Sequence, residues 1–181
     1  LGLNPTHLSL DDYFLERSET PLGPNGKPDF ESLNAIDVKL FDSQVSKMLK
    51  GTKVTVPTFN FIEGKKEYKR TVQLKDNDIL IIEGLHALNE ELLTNIPRKK
   101  KFKVYISPLI YLNIDNDNRI GMTDLRLLRR MVRDNRTRGY NPSKTLESWS
   151  DVRDGEEKYV FPYQDNADAM FNTSLAYELA V

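Results

Sequence analysis

An uninterrupted apolar run near the middle of the sequence limits the folds open to this chain. Segment 78–84, DILIIEG, shows no alternation of polar and apolar residues, which is typical of a parallel strand covered on both faces. A second strand of this kind is predicted at 102–106, and helical spacing follows at 123–138 and 143–159. Because buried strands alternate with helices, we predict an α/β fold with a parallel sheet flanked by helices.

The remaining segments predict the outline of one domain over residues 1–181. Strands at 53–61 and 68–74 indicate a β-hairpin inserted at about 53–75. The helical segments between about 123 and 160 would form a lid region. Three further elements are expected: a strand at 6–10, a helix at 38–49 and a short strand at 167–171.

The composition excludes several kinds of site. The chain has 26 Lys+Arg and 27 Asp+Glu, so no global field that attracts polyanions is expected. It contains no cysteine, which excludes disulfides, thiolate zinc sites and a cysteine nucleophile and suits a reducing cytoplasm. No segment reaches the roughly 18 apolar residues of a membrane helix. We therefore expect a cytoplasmic protein with no membrane partner.

An acidic pair follows the first predicted strand. Asp11 and Asp12 would lie at the carboxyl end of that strand, which is the end where open parallel sheets bind ligands. A carboxylate there could accept the proton of a substrate hydroxyl or hold Mg²⁺. Taken alone, the pair is more simply interpreted as a cap of a turn or helix.

A further acid closes the apolar strand. Glu83 follows the run directly, as in Walker B strands, where an acidic residue meets Mg²⁺ or its waters. Gly84 would let the backbone turn close to a phosphate. An ordinary strand end with a turn glycine explains the same two residues equally well, so both interpretations stay open.

An arginine-rich segment at 126–138 forms the third candidate site. Four of its arginines share one helical face through i, i+3, i+4, i+7 spacing: Arg126, Arg129, Arg130 and Arg133. Leu125, Leu128 and Val132 lie on another face and are expected to anchor the helix. Guanidinium groups match phosphate oxygens, so the face could embrace a triphosphate. A solvated helix face and a nucleic-acid surface are the alternatives.

The sequence contains no Walker A loop, the G-x-x-x-x-G-K-[ST] pattern that cradles nucleotide phosphates. Gly26-Lys27 is followed by Pro28, and Gly64-Lys65 is followed by Lys66, so neither pair fits the pattern. Several aromatic residues lie near the acidic segments. They are most simply interpreted as core, although a flat ligand could stack on them: Tyr13, Phe14, Phe30, Phe59 and Phe61.

Taken in order, these pieces resemble the P-loop kinases of the uridine kinase/phosphoribulokinase family, and in particular a bacterial uridine-kinase-like branch. The segments that carry the resemblance are SLDDYF at 9–14, DFESLNAID at 29–37, PTFNF at 57–61, IIEG at 81–84, LLRRMVRD at 127–134, RTRGY at 136–140 and GEEKYVFP at 155–162. The resemblance implies a P-loop NTPase-like fold with an inserted hairpin and a helical lid. Its first strand, P-loop and first helix are expected to be absent from this chain.

The resemblance also implies an activity, the phosphorylation of a nucleoside 5′-hydroxyl with ATP and Mg²⁺. Asp11 matches the catalytic carboxylate that deprotonates the hydroxyl, and Glu83 matches the acid near Mg²⁺, with Asp11 as a candidate second metal ligand. Arg133 and Arg138 match lid arginines that bind ATP, and Arg133 would also stabilise the transferring phosphate. The residues implied to bind the nucleoside are Phe30, Glu31, Phe59, Phe61 and Arg130.

Two departures from the family pattern shape our expectations. Without a Walker A loop, this chain by itself is expected to be nearly inactive. Uridine kinases usually present a tyrosine and a histidine to the base, whereas the matching region here has Phe59 and, allowing a one-residue gap, Gly64 or a neighbour. The loss of a donor and an acceptor is expected to weaken the discrimination between bases.

The alternatives are a kinase of the same fold for another small hydroxylated substrate, such as a sugar phosphate or a pantothenate-like acid, and a non-catalytic regulatory or RNA-associated module. Nucleoside and ATP are the expected partners, nucleic acid is disfavoured, and a homo-oligomer stays open.

Overall fold

The structure is a computed structural model and describes residues 2–24, 26–109, 112–113, 115–175 and 177. The chain divides into two compact units. The first comprises Leu1–Lys101 and Gly155–Tyr163, and the second comprises Phe102–Asp154 and Gln164–Val181. The expectation of one domain over the whole chain stays a prediction. None of the helices in the described segments is long and apolar enough to cross a membrane.

The described elements alternate between strands and helices, as an α/β fold requires. The strands are β1 (Asn4–Ser9), β2 (Val54–Asn60), β3 (Lys65–Val72), β4 (Asp78–Glu83), β5 (Val104–Ser107), β6 (Leu112–Asn113), β7 (Arg119–Ile120) and β8 (Ala169–Asn172). The α-helices are α1 (Val38–Met48), α2 (Met122–Thr137), α3 (Pro142–Glu147) and α4 (Trp149–Tyr159). Short 3-10 helices cover Leu10–Tyr13, Leu33–Ala35, Arg98–Lys100 and Phe161–Asn166.

A parallel strand pair organises the first unit. β1 lies beside β4 with Asn4 opposite Asp78 and Ser9 opposite Glu83. Parallel strands require a long crossover connection, and here the crossover contains α1 and the antiparallel hairpin β2–β3. Both the parallel strands and the inserted hairpin were predicted from the sequence and are confirmed.

The core of the first unit forms where α1 and the hairpin pack beside β1. Its fully buried side chains are Leu8, Leu10, Tyr13, Phe41, Val45, Met48 and Val56. On α1, Phe41, Val45 and Met48 follow the i, i+4, i+7 spacing of one helical face, which explains why this segment is a helix with one covered side. Asp37 caps that helix, because its carboxylate accepts the Leu40 amide at 3.0 Å.

The second unit contains another parallel pair and most of the helices. β5 pairs with β8, so that Val104 lies opposite Ala169 and Ser107 opposite Asn172. The final strand and the long helix α2 were predicted within two residues of their observed bounds. Among the described residues, the strands form four two-stranded sheets, β1–β4, β2–β3, β5–β8 and β6–β7, of which β1–β4 and β5–β8 are parallel, in agreement with the predicted α/β fold.

Both apolar strands differ from the prediction in their burial. Ile79 and Ile81 on β4 are exposed, at 45% and 46%, while Leu80 and Ile82 pack against the core. Val104 and Ile106 on β5 are likewise exposed. Successive side chains of a strand point to opposite faces, and within the described structure only one face of β4 is covered. An apolar run therefore identified the strand correctly, but burial on both faces was wrong.

The helix predicted over 143–159 is two helices. Asn141 rather than Ser143 begins the first, because its side chain accepts the Lys144 amide at 2.9 Å and Pro142 takes the first helical position. Ser148 ends it, and its hydroxyl donates to the Thr145 carbonyl at 3.0 Å.

The anchoring face predicted for the arginine helix is also only partly correct. Leu125 is buried, whereas Leu128 and Val132 are exposed. One leucine, and not an apolar stripe, therefore provides the buried contact on that side of α2.

A buried hydrogen-bond chain ties the turn after β1 to the hairpin. The Tyr13 hydroxyl donates to Gln44 Oε1 at 2.7 Å, and Gln44 Nε2 donates to the Thr55 carbonyl at 3.0 Å. Burial, helped by the nearby charge of Asp12, raises the pKa of Tyr13, so its hydroxyl stays protonated and remains a donor. The Tyr13 ring also meets Phe41 edge to face, with centroids 4.8 Å apart.

Tyr13→Phe tests this chain. The change leaves Gln44 Oε1 without its donor in a buried site, so we expect the free energy of unfolding to fall by about 1–3 kcal/mol in urea denaturation. Tyr68→Phe removes the hydroxyl of an exposed strand residue and is the matched control, with an expected change within about 0.5 kcal/mol. Equal losses for the two variants would contradict this account.

Candidate active site

The carboxyl ends of β1 and β4 bring two of the predicted site residues to the same place. Ser9 and Glu83 are register partners at the last position of the two strands. The Ser9 hydroxyl accepts the Asp11 amide at 3.3 Å and so begins the 3-10 helix that carries Asp11 in its first turn. Asp11 and Glu83 therefore lie just beyond the same end of one parallel strand pair.

Gly84 allows this approach. Its φ is +145°, which side chains other than hydrogen rarely tolerate, and a Cβ there would lie 2.6 Å from the Cβ of Leu10. The chain leaving β4 is thus pressed against the residue immediately before Asp11. Gly84 was predicted to let the backbone approach a phosphate. In the structure, it lets the backbone approach the buried Leu10.

The two acids of the Asp11–Asp12 pair have different surroundings. Asp12 Oδ1 accepts the Phe59 amide at 3.1 Å, which fixes strand β2 against the turn after β1. Asp12 therefore has a structural role, although it holds a distant strand and does not cap a turn or helix. Asp11 is partly exposed at the strand end, where a ligand could reach it.

Three phenylalanines form a compact group near this strand end. The Phe59 and Phe61 ring centroids lie 5.2 Å apart, and Phe14 lies 5.9 Å from Phe59 and 6.4 Å from Phe61. Phe59 is buried and belongs to the core, whereas Phe61 is half-buried and offers part of its ring to solvent. Phe30, in contrast, is 45% exposed. The structure places Phe59 and Phe61 together, and it does not place Phe30 in this group.

Glu31 lies in a tightly held loop of the first unit. Asp29 Oδ1 accepts the amides of both Glu31 and Ser32 at 3.1 Å, which fixes the backbone on either side of the Glu31 side chain. The helix α4 lies directly against Glu31, since a Cβ at Gly155 would be 2.7 Å from the Glu31 Cβ. This close contact explains a glycine inside a helix, where glycine is otherwise unfavourable.

The arginine row of α2 lines a cleft in the second unit. The cleft measures about 380 Å³ and is lined by Pro108, Arg126, Arg129, Arg130, Arg133, Trp149 and Val152. The four arginines that were predicted to share one helical face therefore do share one surface. The volume lies within the range of small-molecule sites, and the lining combines positive charge with one indole ring.

A buried carboxylate organises three of the arginines. Asp134 is 1% exposed and lies 2.8 Å from Arg133 Nη2, 3.4 Å from Arg130 Nε and 3.8 Å from Arg138 Nε. The Asp134 carbonyl also accepts the amides of Arg138 and Tyr140, at 3.0 and 3.1 Å. One carboxylate thus neutralises part of a dense positive charge and fixes the direction of the guanidinium groups.

The acidic side chains at the strand end suit a metal ion that takes most of its ligands from phosphates and water. Among the described residues, no group of three or more histidine or acidic side chains could hold a metal ion. Mg²⁺ is commonly bound through one or two carboxylates together with phosphates and water, and Glu83 with Asp11 fits that pattern. Glu83 Oε1 lies 3.4 Å from the Nε2 of the exposed His7.

Sequence reasoning missed three residues of these sites. Asp134 was not singled out, although its i, i+4 spacing to Arg130 and Arg138 is a signal for ion pairs. Trp149 gave no signal because it lies outside the arginine helix. Gly155 in a helical segment could have indicated a close approach.

The predicted site residues fall into two groups. Asp11, Phe30, Glu31, Phe59, Phe61 and Glu83 belong to the first unit, and Arg130, Arg133 and Arg138 belong to the second. The roles of all nine residues, and the convergence of the two groups on one substrate, stay predictions.

Gly84→Ala tests the close approach beside Asp11. An alanine would combine an unfavourable positive φ with a collision with Leu10, so we expect a loss of stability of about 1–3 kcal/mol from the backbone alone and more from the collision. Gly139→Ala is the matched control, because Gly139 also has a positive φ, of +67°, but no atom lies within 4 Å of the place that an alanine methyl would take. Chemical denaturation should show the larger loss for Gly84→Ala, and equal losses would refute the close approach.

Known proteins match most of the sequence. Residues 15–179 match the family model for the phosphoribulokinase/uridine kinase family. A uridine kinase of Halobacterium salinarum is 23% identical over 169 residues, which are 93% of this chain and 68% of that protein. A uridine kinase of Clostridium novyi is 25% identical over 159 residues, 87% of this chain and 68% of that protein.

A solved structure shares the fold. It is that of a possible uridine kinase from Bacillus stearothermophilus, with a TM-score of 0.53 and 20% identity, covering 94% of this chain and 73% of that one. The α/β architecture, the ordered motifs and the match over most of the sequence agree, and the chain belongs to the phosphoribulokinase/uridine kinase family.

Proposed function

We propose that this chain is a nucleoside kinase domain, which transfers the terminal phosphoryl group of ATP to the 5′-hydroxyl of a nucleoside. Membership of the family and the uridine kinases among its relatives support a kinase. The observation that carries the proposal is the register of β1 with β4, which sets Asp11 and Glu83 at the same strand end. Ligands of open α/β sheets bind beyond that end.

In this proposal Asp11 is the general base. Its carboxylate accepts the proton of the 5′-hydroxyl while the hydroxyl oxygen bonds to the γ-phosphorus and the bond to the β–γ bridging oxygen breaks, which releases ADP. Phosphoryl transfer asks little covalent chemistry of a protein, so orientation of the hydroxyl and stabilisation of charge account for most of the catalysis. Asp12 cannot readily share this task, because its carboxylate holds the Phe59 amide.

Glu83, with Asp11 as a candidate second ligand, would hold Mg²⁺, which supplies charge neutralisation on the phosphates when bound. The protein's own contribution here is the fixed backbone at Gly84, which keeps the acid at the strand end.

The nucleoside would bind against the first unit. Glu31 offers a carboxylate to the ribose hydroxyls from a loop whose backbone is fixed by Asp29. The half-buried Phe61 and the buried Phe59 provide an apolar wall for the base, and the exposed Phe30 is available to cover it. Such a wall contributes area but few hydrogen bonds, so we propose a preference for nucleosides with weak discrimination among bases.

The arginines would bind both substrates. Arg133 and Arg138 are proposed to bind ATP phosphates and Arg130 to contact the nucleoside, all three directed by Asp134. Guanidinium groups fixed in advance lose little side-chain entropy on binding and stabilise charge that develops during transfer.

The 181 residues contain no Walker A loop, and they span 68% of the Halobacterium salinarum and Clostridium novyi kinases. We therefore propose that the chain binds nucleoside but turns over ATP very slowly by itself.

The alternative kinase substrate, a sugar phosphate or pantothenate-like acid, is favoured by one observation, the apolar Phe59 in the segment that would face the base.

Asp11→Asn tests the proposed base in the full product of the gene. We expect nucleoside monophosphate formation to fall by about 10²–10⁴-fold, since a general base contributes that much, with nucleoside affinity unchanged. Asp12→Asn is the comparison and is expected to lower stability through the Phe59 contact. Unchanged turnover in Asp11→Asn would refute the base. Rapid turnover by the 181-residue chain alone would refute its proposed inactivity.

Arg133→Gln tests the arginine cleft in the 181-residue chain. Trp149 is the only tryptophan of the sequence and lines the cleft, so its fluorescence reports occupancy. With inorganic triphosphate as the probe, we expect the variant to bind at least about tenfold more weakly than wild type, as for the loss of a hydrogen bond to a charged group. Arg136→Gln, on the same helix but outside the cleft lining, is the control. Equal effects of both variants would indicate general charge attraction, as an RNA-binding surface would show.

A further inference from the structure

His86 is a buried imidazole that the proposed phosphoryl transfer does not use. It lies in the turn after β4, three residues beyond Glu83, and is only 3% exposed. Within the described residues, neither of its ring nitrogens has a hydrogen-bond partner. A buried polar group without a partner costs free energy, so its presence here needs a reason.

The ring of His86 lies between two other segments of the first unit. On one side it meets the ring of Tyr159, near the end of α4, at a centroid distance of 5.3 Å and an angle of 66°. On another side the backbone of Glu31 and Ser32 lies close enough to affect its protonation, although without a hydrogen bond of good geometry. The ring is therefore a spacer between the Glu31 loop and the helix.

The same two segments also touch directly. Gly155 on α4 leaves no room for a methyl group against the Cβ of Glu31, as the distance of 2.7 Å shows. The position of Glu31 is thus determined by the helix backbone, by the Asp29 carboxylate that accepts its amide, and by the packing around His86.

Burial lowers the pKa of His86 from its ordinary value of 6.5, so the ring is neutral at pH 7. The negative charge of Asp29 and the backbone of Glu31 and Ser32 favour the protonated ring and oppose this shift. On the helix side, the ionisable group in ring contact with His86 is Tyr159, and the buried Glu156 lies on the same helix. Protonation would place a charge in a site packed for a neutral ring.

We propose that His86 is a positioning residue for Glu31: the neutral ring packs between the Glu31 loop and α4, and protonation at acidic pH draws the Asp29 carboxylate and the loop backbone toward the ring, which moves Glu31 from its position. The consequence for substrate rests on the proposed function, in which Glu31 binds the ribose hydroxyls. Loss of the loop position would then weaken nucleoside binding as the pH falls, while the acids at the strand end keep their places.

The same protonation affects stability with a definite sign. The folded state binds a proton at His86 less readily than the unfolded state. Between pH 6.5 and the lowered pKa of folded His86, the unfolded state therefore carries more protons. The contribution of His86 to stability is therefore complete above pH 6.5 and decreases as the pH falls through that window.

The first experiment follows the two histidines by NMR and needs no ligand. The chain contains only two histidines, His7 and His86, and the spectrum of His86→Phe assigns the resonances of the His86 ring. We expect the His86 ring to titrate below the ordinary histidine pKa of 6.5, and the amide resonances of Glu31 and Ser32 to shift with the same midpoint. If those amides do not move, or move equally in His86→Phe, the proposal is wrong.

The second experiment measures uridine affinity by calorimetry between pH 5 and 8 in wild type, His86→Phe and His7→Phe. We expect wild-type affinity to weaken below the His86 midpoint, approaching about tenfold per pH unit. His86→Phe keeps an aromatic ring against Tyr159 but cannot be protonated, so its affinity should be independent of pH. His7→Phe should keep the wild-type profile. A His86→Phe profile identical to wild type would overturn the proposal.

Gly155→Ala provides a second variant if His86→Phe does not fold. It moves Glu31 without changing a titrating group, so we expect uridine affinity to fall at every pH while the midpoint of its pH dependence stays the same. A shifted midpoint, or no loss of affinity, would count against the proposal. If wild type binds no uridine at any pH, the proposed nucleoside kinase function fails, and the amide shifts of Glu31 and Ser32 still decide the role of His86.

Discussion

The parallel pairing of β1 with β4 is the constraint on which the proposed chemistry depends. A parallel ladder fixes which residues end side by side, and here it sets Ser9 against Glu83. Ser9 then starts the turn that carries Asp11, and Gly84 lets the chain after Glu83 lie against Leu10. A slip of one residue in this register would turn every side chain of the strand to its other face. Two acids 72 positions apart in sequence are therefore held together by backbone pairing and core packing.

A different principle holds the arginines in the second unit. Four guanidinium groups on one helical face repel one another, and like charges at i, i+4 spacing destabilise a helix. The buried Asp134 offsets this repulsion by contacting Arg130, Arg133 and Arg138 at once. A buried carboxylate is costly unless it is paired, and each of these arginines helps to meet that requirement. The arrangement keeps the guanidinium groups directed and close together before any phosphate is bound.

The sequence allowed the local features to be predicted and left the contacts between distant segments unknown. The strand ends at Asp11 and Glu83 and the arginine face could be found because they follow from periodicity within short segments. The exposure of Ile79 and Ile81 could not, since apolar character does not say which face of a strand another element covers. At the helix break the Ser148 hydroxyl donates to the Thr145 carbonyl, and the close contact of Gly155 with Glu31 joins residues 124 positions apart. Such contacts arise from tertiary packing, which overrides local pattern.

The two groups of proposed site residues differ in what keeps them in place, and this difference has a physical consequence. Glu31 is positioned by a capped loop, by a glycine contact and by a neutral buried ring, none of which is a contact between full charges. The arginine cleft is positioned by ion pairs with Asp134 and presents its charge to solvent. Added salt screens exposed charges strongly and buried packing hardly at all, whereas acid acts on the ring of His86 and leaves guanidinium groups charged. In the proposed site, acid would therefore act on the packing between Glu31 and His86 and salt on the exposed arginines of the cleft, so that the proposed nucleoside and phosphate binding would respond to different conditions.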